Sequence, residues 1–479
     1  MSGKFSARSA GGSLKIMDFI PCLILALIFI VHVGPSQAQQ NSLSKSGETP
    51  SIIIKTDDSL LKLQGERYTL SEAIVYALKN NPRVRISAKD IDTEAYGIDA
   101  ARAERMPRID FGSSASRYRY PAPLTPPVIS GLFGAGPDLP EYSRNIYDAG
   151  GSLRLPIFKG GRLYRAVLVA EMRKGIAQEN LVTSKQDLIF NMSSVFYKIA
   201  ELEKLYVSTD GTVKQLEAHK SDVEVFYKTG AVPYIDLLKT DVQLAHAVEQ
   251  RLAVKNNRES AYELMKNLMG MDDTEKNIVI DYQKAPPQLL PSLEESLTKS
   301  LVQRPEYRAV RKKRMISEER VKMAQGKRLP DVYVGGEYGG KAGDSFGFKE
   351  NWYFGARMSI PVFDGGLISA EINRERAELQ KVLEEERLIR LAITREVRDA
   401  YLNITHARER TEVAGKAIES ARENARIEKL KYQTGAGTNT DYLDAQTDLL
   451  RAEADYFRSF FDEEVARASL RKAMGETGY

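Results

Sequence analysis

Two apolar patterns with different periods alternate along the chain and predict strands that lead into very long helices. In the stretch 351–360 (NWYFGARMSI), apolar side chains occupy every second position, which places them on one face of a β-strand. A weaker alternation covers 152–157, and 109–111 begins in the same way. From this pattern alone, the apolar face could equally belong to a half-buried hairpin of a soluble protein or meet lipid.

The second pattern has steps of three and four residues, which is typical of a helix that packs against another helix in coiled-coil fashion. Its apolar positions are Leu188, Met192, Val195, Ile199, Leu202 and Tyr206 in one segment and Ile393, Val397, Ala400, Ile404 and Ala407 in another. No proline interrupts 157–232, and none follows Pro361. We therefore predict two helices of about 65 residues, each roughly 100 Å long.

The order of these segments occurs twice. LPIFKGGR (155–162) returns 205 positions later as IPVFDGGL (360–367). Upstream, TLSEAIVYALKNNPRVR (69–85) aligns with 292–308 at an offset of 223, because the first copy has an 18-residue longer loop around 121–140. Internal repeats of this kind indicate a duplicated structural unit.

Each unit is predicted to run helix, strand, strand, long helix, turn, helix, which makes the fold class α+β. A capping-box pattern opens both units, as Thr69-x-x-Glu72 and Ser292-x-x-Glu295. The predicted first repeat is 67–270, with strands at about 108–121 and 146–158, a long helix at 162–229 and a return helix at 236–268. The predicted second repeat is 292–479, after a linker at 271–291, with strands at about 331–342 and 350–363, a long helix at 367–434 and a return helix at 440–474. Four strands cannot close a membrane barrel, so strands that span a membrane would have to share one barrel among several chains.

The N-terminus has the pattern of a secretory signal peptide. Basic residues precede an apolar run at 16–33, and Ser36 and Ala38 then form a small-x-small cleavage signal. We therefore expect a signal peptide at 1–38 and an N-terminal periplasmic segment at 39–66; an uncleaved membrane anchor is the alternative. Cys22, the only cysteine, lies inside the run, and Pro21 before it does not fit a lipoprotein acylation site.

Composition and motifs exclude several classes of function. The net charge is +4 and basic residues are interspersed with acidic ones, so nucleic acid is not an expected partner. His219, His246 and His406 are far apart in the sequence, and each is expected on a solvated helix face. Without a second cysteine, a paired-His motif or a phosphate loop, the sequence predicts no metal, no cofactor and no enzymatic activity.

The repeated motifs closely resemble those of the TolC-like outer membrane factor family. The resemblance covers about residues 69 to 475 and rests on the opening helix at 73–82, the strand ends with F-x-G-G (156–161 and 361–366), and YQTGAGTNTDYLDAQTDLL (432–450). It implies a homotrimer whose twelve-stranded β-barrel lies in the bacterial outer membrane and continues as a periplasmic α-helical coiled-coil barrel. It further implies an exit duct for a tripartite efflux pump or a type I secretion system, working with a periplasmic adaptor and an inner-membrane transporter.

The resemblance also assigns roles to individual residues at the periplasmic entrance. Asp441 and Asp444 match the acidic residues that ring the entrance; without the resemblance, the favoured explanation is that they are acids in the first turn of a helix, where they favour its dipole. Tyr432 and Asp236 match a contact that helps to keep the entrance closed. Family members often have an arginine at the position of Gly437, so the closing network here is thinner or uses other partners.

The turns around Gly230 and Gly435 match the tips that receive the adaptor, although glycines there are equally expected as helix C-caps. A soluble periplasmic coiled-coil scaffold or adaptor is the alternative function.

Overall fold

The computed structural model of the protein describes residues 67–124, 141–272, 278–283 and 290–476. The expected signal peptide with Cys22, the segment 39–66 and most of the long loop at 121–140 lie outside these ranges.

The described elements occur in the same order in the two halves of the chain. The first half contains β1 (Arg67–Tyr68), α1 (Leu70–Asn80), α2 (Pro82–Ala103), β2 (Arg108–Pro123), β3 (Tyr142–Lys159), α3 (Arg162–Lys228) and α4 (Tyr234–Met269). The second half contains β4 (Val279–Ile280), α5 (Leu293–Gln303), α6 (Pro305–Gly326), β5 (Asp331–Ala342), β6 (Lys349–Ser359), α7 (Leu367–Gln433) and α8 (Asn439–Ala473). Helices α3 and α7 each have 67 residues, and α1 and α5 each have 11. The predicted duplicated α+β unit is confirmed.

Two strand bounds differ from the expected ones. Strand β3 begins at Tyr142 rather than at about 146, and β6 ends at Ser359 rather than at about 363. In the described ranges, β6 has no strand partner on its outer side. The segment after Ser359 therefore has no neighbour with which to continue a ladder.

The helix starts follow from local hydrogen bonding. At the start of α1, the Thr69 backbone N–H donates to the Glu72 carboxylate (2.8 Å), while the Glu72 N–H donates to Thr69 Oγ1 (3.4 Å). These bonds satisfy donors that a helix N-terminus leaves free. In the parts of the chain that the structure describes, no helix is both long and apolar enough to cross a membrane.

The predicted coiled-coil seam is largely buried in the core. In α7, the five predicted seam residues from Ile393 to Ala407 are all buried, and they pack against α8. In α3, Leu188, Met192, Ile199 and Leu202 are buried, whereas Val195 and Tyr206 are half-buried.

Four antiparallel strands form one sheet in the order β2-β3-β5-β6. The central contact, β3 with β5, joins the two repeats, and β1 with β4 joins them again through a short parallel pair. Strands β2 and β6 are the edges of the sheet.

The strand register sorts the side chains of the sheet onto two different faces. Ile109, Leu153, Gly336 and Phe354 lie in one row across the four strands, and Arg108, Arg154, Gly335 and Gly355 lie in the next row on the opposite face. The apolar face carries Ile109, Phe111, Leu153, Val334, Tyr338, Trp352, Phe354 and Met358. The opposite face carries Arg108, Asp110, Ser152, Arg154, Glu337, Tyr353 and Arg357. Phe111, Tyr338, Trp352 and Phe354 are exposed on the apolar face, and Tyr353 is exposed on the opposite face.

The repeated glycine pair explains the repeated phrase of the sequence. Gly160 and Gly161 have φ values of 58° and 74°, and Gly365 and Gly366 have values of 65° and 89°. Other residues rarely adopt this left-handed conformation. Each pair turns the end of a strand or its extension directly into a long helix, whose N-cap is the second glycine.

Candidate functional site

The candidate site lies where the two long helices reverse into the return helices. Gly230 and Gly435 adopt φ values of 76° and 75° just after α3 and α7 end. The Gly435 N–H donates to the Tyr432 carbonyl (3.1 Å) and the Ala436 N–H to the Lys431 carbonyl (2.8 Å). This pair of bonds is a Schellman motif, which requires a left-handed residue at this position. Both glycines therefore have a structural role as C-caps, whether or not they also meet a partner.

Asp441 and Asp444 lie on the exposed face of α8, three residues apart. The Thr438 hydroxyl donates to the Asp441 carboxylate (2.7 Å), and the Asp441 N–H donates back to Thr438 Oγ1 (3.1 Å). These hydrogen bonds from Thr438 hold the pKa of Asp441 below its usual value. Asp441 therefore caps the helix and also presents a stable negative charge.

The two aspartates line a polar surface cleft of about 380 Å³. Glu428 and Asp448 add two further carboxylates to this cleft, and Lys431 forms an ion pair with Glu428 (2.6 Å). The charge of the cleft is therefore predominantly negative, which favours cations. Among the described residues, no group of three or more His, Cys, Asp or Glu side chains is arranged to hold a metal ion.

Tyr432 and Asp236 lie near each other without a hydrogen bond between their side chains. The Tyr432 hydroxyl is buried and has no hydrogen-bond partner in the described part of the chain. Burial raises the pKa of Tyr432, and the charge of Asp236 raises it further. Tyr432 and Asp236 are thus close enough for an electrostatic interaction, but other residues make the hydrogen bonds that connect the repeats here.

His219 makes a buried side-chain contact between the repeats at this site. Its Nε2 lies 2.7 Å from Asn439 Oδ1. Asn439 Nδ2 donates to the Asp236 carbonyl (2.9 Å) and to Thr240 Oγ1 (3.2 Å), so its Oδ1 is the acceptor for a proton on His219 Nε2. The chain of bonds connects α3, α8 and α4.

The imidazole of His219 is also packed between two aromatic rings. Its centroid lies 4.8 Å from the ring of Tyr432 and 4.2 Å from that of Tyr442. Only 6% of His219 is exposed, so the expectation of a solvated face was wrong for this residue. The apolar steps around it would have indicated burial, because His219 follows Leu216 by three positions and precedes Val223 by four.

Gly437 occupies a crowded position. A Cβ at Gly437 would lie 2.9 Å from Lys431 Cβ, and the Gly437 N–H donates to the Lys431 carbonyl (3.1 Å). A longer side chain at 437 would therefore displace the end of α7.

Comparisons with known proteins give a consistent result. The family model described as "Outer membrane efflux protein" matches residues 73–271 and 297–476. Outer membrane protein OprJ of Pseudomonas aeruginosa is 23% identical over 431 residues, which cover 85% of this chain and 84% of OprJ. Outer membrane protein TolC of Escherichia coli K12 is 21% identical over 429 residues, which cover 85% of this chain and 82% of TolC.

Solved structures with a similar fold include two outer-membrane proteins. The CmeC outer membrane channel of Campylobacter jejuni superimposes with a TM-score of 0.73 at 19% identity, covering 85% of each chain. The outer membrane protein VceC of Vibrio cholerae superimposes with a TM-score of 0.69 at 16% identity, covering 85% of this chain and 96% of VceC.

Proposed function

Because the chain belongs to the outer membrane efflux protein family, we propose that it is the exit duct of a tripartite efflux pump or of a type I secretion system. Its strands lie in the outer membrane and its long helices in the periplasm. The observation that carries the proposal is the four-stranded sheet with one apolar and one polar face. A membrane barrel needs this division, with the apolar face toward lipid and the polar face toward the lumen.

Three copies of the chain would close the barrel. Strands β2 and β6 are edges, and an open edge cannot face lipid because its backbone groups would stay unpaired. Strand β6 therefore pairs with β2 of the next copy, and three chains give twelve strands.

The duplication supports this arrangement through charge. Within the chain, Lys159 on β3 lies opposite Asp331 on β5. The residue 205 positions after Lys159 is Asp364, and the residue 223 positions before Asp331 is Arg108. In the contact between copies, Asp364 would therefore lie opposite Arg108 of the next copy. The signs are exchanged, but the charges remain opposite, as a cross-strand pair requires.

The tips of the hairpins form the periplasmic entrance. Three chains would bring six carboxylates, from Asp441 and Asp444, toward the axis, and the His219–Asn439 contact would hold each acidic tip against the first-repeat hairpin. The turns at Gly230 and Gly435 are exposed, and we propose that they receive the hairpins of a periplasmic adaptor. An inner-membrane transporter supplies the energy, and the duct itself is passive.

The proposal is tested by single-channel conductance of the detergent-purified protein in a planar bilayer. Because Asp441 also caps α8, the informative variant is Asp441→Asn/Asp444→Asn, which removes charge and keeps an oxygen acceptor at the cap. We expect small cation-selective openings in the wild type, and loss of both cation selectivity and block by trivalent cations in the variant. Asp448→Asn removes one carboxylate farther along the same cleft and should reduce the selectivity less than the double variant does.

The possible results test the duct and its acidic entrance independently. Unchanged selectivity in the double variant would refute the acidic entrance and keep the duct. A protein that never inserts would refute the duct and favour a soluble periplasmic scaffold. That scaffold would be released by osmotic shock, whereas the duct requires detergent for extraction from the outer-membrane fraction.

A further inference from the structure

The polar face of the sheet carries a concentration of arginine where the strands lead into the helices. Arg108 on β2 lies directly opposite Arg154 on β3. Arg357 on β6 lies opposite Tyr333, two residues nearer than Gly335 to the end of β5 that follows α6. Two like charges directly opposite each other destabilise a strand pair, so sheet stability does not account for this arrangement.

Two of these arginines are not neutralised by an acidic neighbour. Arg108 Nε forms an ion pair with the Asp110 carboxylate at 2.9 Å. Arg154 and Arg357 are exposed, and neither makes a hydrogen bond or an ion pair with a residue in the described ranges. Glu337 shares their face, but it lies opposite Ser152 and Tyr353 and leaves both guanidinium groups free.

The far end of the same face provides a contrast. Lys341 on β5 lies directly opposite Lys349 on β6, which is a second pair of like charges. Here acidic residues compensate both: Asp148 lies 3.8 Å from Lys341, and Glu141 lies 3.4 Å from Lys349. Lys341 is six residues along β5 from the row of Arg154, roughly 20 Å away. The two facing lysines at this end are therefore each compensated, whereas Arg154 and Arg357 at the helix-proximal end are not.

We propose that Arg154 and Arg357 form a belt inside the barrel that binds anionic groups of the cargo. This inference rests on the proposed function, because the polar face lines a lumen only in a closed barrel. Three copies would place six guanidinium groups in a zone of the lumen that spans roughly 7 Å, the length of two residues along β5. Guanidinium pairs with carboxylate, sulfate and phosphate groups through two parallel hydrogen bonds, which gives the belt a preference for these anions.

The belt and the entrance have opposite charge. A cargo molecule that enters between the carboxylates of Asp441 and Asp444 meets guanidinium groups after it has passed the helical section. The duct would then select cations at its entrance and retain anionic solutes at its barrel. A solute added from the outside reaches the belt first.

The test uses a trisulfonated pyrene dye as the probe, added to each side of a planar bilayer in turn. From the barrel side, we expect a voltage-dependent block of the wild-type channel. In Arg154→Gln/Arg357→Gln, the half-blocking concentration should rise roughly tenfold, the factor that corresponds to about 1.4 kcal/mol of binding free energy. Lys341→Gln/Lys349→Gln removes the same number of charges from the compensated pair and should leave the block nearly unchanged.

Three other results would contradict the proposed belt. A conducting wild type that the dye does not block would overturn the belt, without any variant being needed. Equal loss of block in the arginine and lysine variants would also overturn it, since net lumen charge would then suffice. If no channel appears in any sample, the proposed duct itself fails, and the belt fails with it.

Discussion

At the tip of the hairpins, one buried imidazole connects the two halves of the chain. His219 is the shared neighbour of Asn439, Tyr432 and Tyr442, which belong to the two second-repeat helices. Asn439 lies two residues before Asp441 on α8. A displacement of His219 would therefore also shift the start of α8, where Asp441 lies. If this tip is the entrance, as proposed, a hydrogen bond between neutral groups inside an aromatic cluster helps to hold it closed.

This contact should weaken in acid. Burial is the largest cause that lowers the pKa of His219 below its ordinary value of 6.5, and Lys429 lowers it further, while the Asn439 hydrogen bond and Asp222 oppose the shift. Well above pH 6.5 the imidazole is mostly neutral whether the tip is closed or open. As the pH falls below 6.5, an opened tip binds the proton more readily than the closed one, so closure loses free energy.

We therefore predict that the open probability of single channels rises as the pH is lowered from about 7 to about 5. His219→Gln retains a hydrogen-bond donor without a titrating group and should abolish this rise. His219→Ala loses about 1 kcal/mol of hydrogen bonding and should open the channel about fivefold more often at neutral pH. Asp441 stays charged over this range because its pKa is lowered. A pH response that persists in His219→Gln would assign the effect to another group.

At the scale of elements, the glycine pairs fix where a strand becomes a helix. Gly160 and Gly161 share the left-handed conformation but differ in their surroundings. A Cβ at Gly160 would lie 2.0 Å from the Gly326 carbonyl oxygen, whereas a Cβ at Gly161 would meet nothing within 4 Å. The first glycine is needed for close packing as well as for backbone geometry, and the second for geometry alone.

The two alanine substitutions should therefore differ in severity. Gly161→Ala should destabilise the protein by about 1–2 kcal/mol, the cost of a left-handed alanine. Gly160→Ala must also displace the backbone of α6, so we expect a larger loss and a lower yield of folded protein. Thermal unfolding followed by circular dichroism in detergent measures both. Equal melting temperatures would show that the contact with Gly326 adjusts without cost.

The elements could be predicted from the sequence because each carries its own signal. The apolar seam from Ile393 to Ala407 and the absence of proline predicted the long helices. The constant offsets between the repeated motifs predicted the duplication. The outer bounds of β3 and β6 were less accurate, since alternation does not show how far a ladder continues. The His219–Asn439 contact joins residues 220 positions apart, and no local pattern identifies Asn439 as its partner.

At the scale of the whole molecule, one chain leaves apolar residues highly exposed beyond the edge strand β6. Val362 and Phe363 are 95% and 91% exposed, just beyond the end of β6. Within the chain, the corresponding residues of the first repeat, Ile157 and Phe158, lie along β5. The sequence predicted a strand as far as 363, and pairing with β2 of a next copy would extend β6 in that direction.

The duplication predicts which residues meet at that contact. Leu153 on β3 lies opposite Gly336 on β5, and the repeat offsets turn this pair into Met358 opposite Ser113 of the next copy. Opposed residues in antiparallel strands have Cβ atoms about 4.5–5.5 Å apart, which is within reach of a short thiol crosslinker. The double variant Met358→Cys/Ser113→Cys should therefore give covalent trimers on a denaturing gel. In Ser359→Cys/Ser113→Cys, the shift of one residue moves one thiol to the other face of the sheet, and crosslinking should be lost. Equal crosslinking in both variants would contradict this register, and covalent dimers without trimers would contradict a closed ring of three chains.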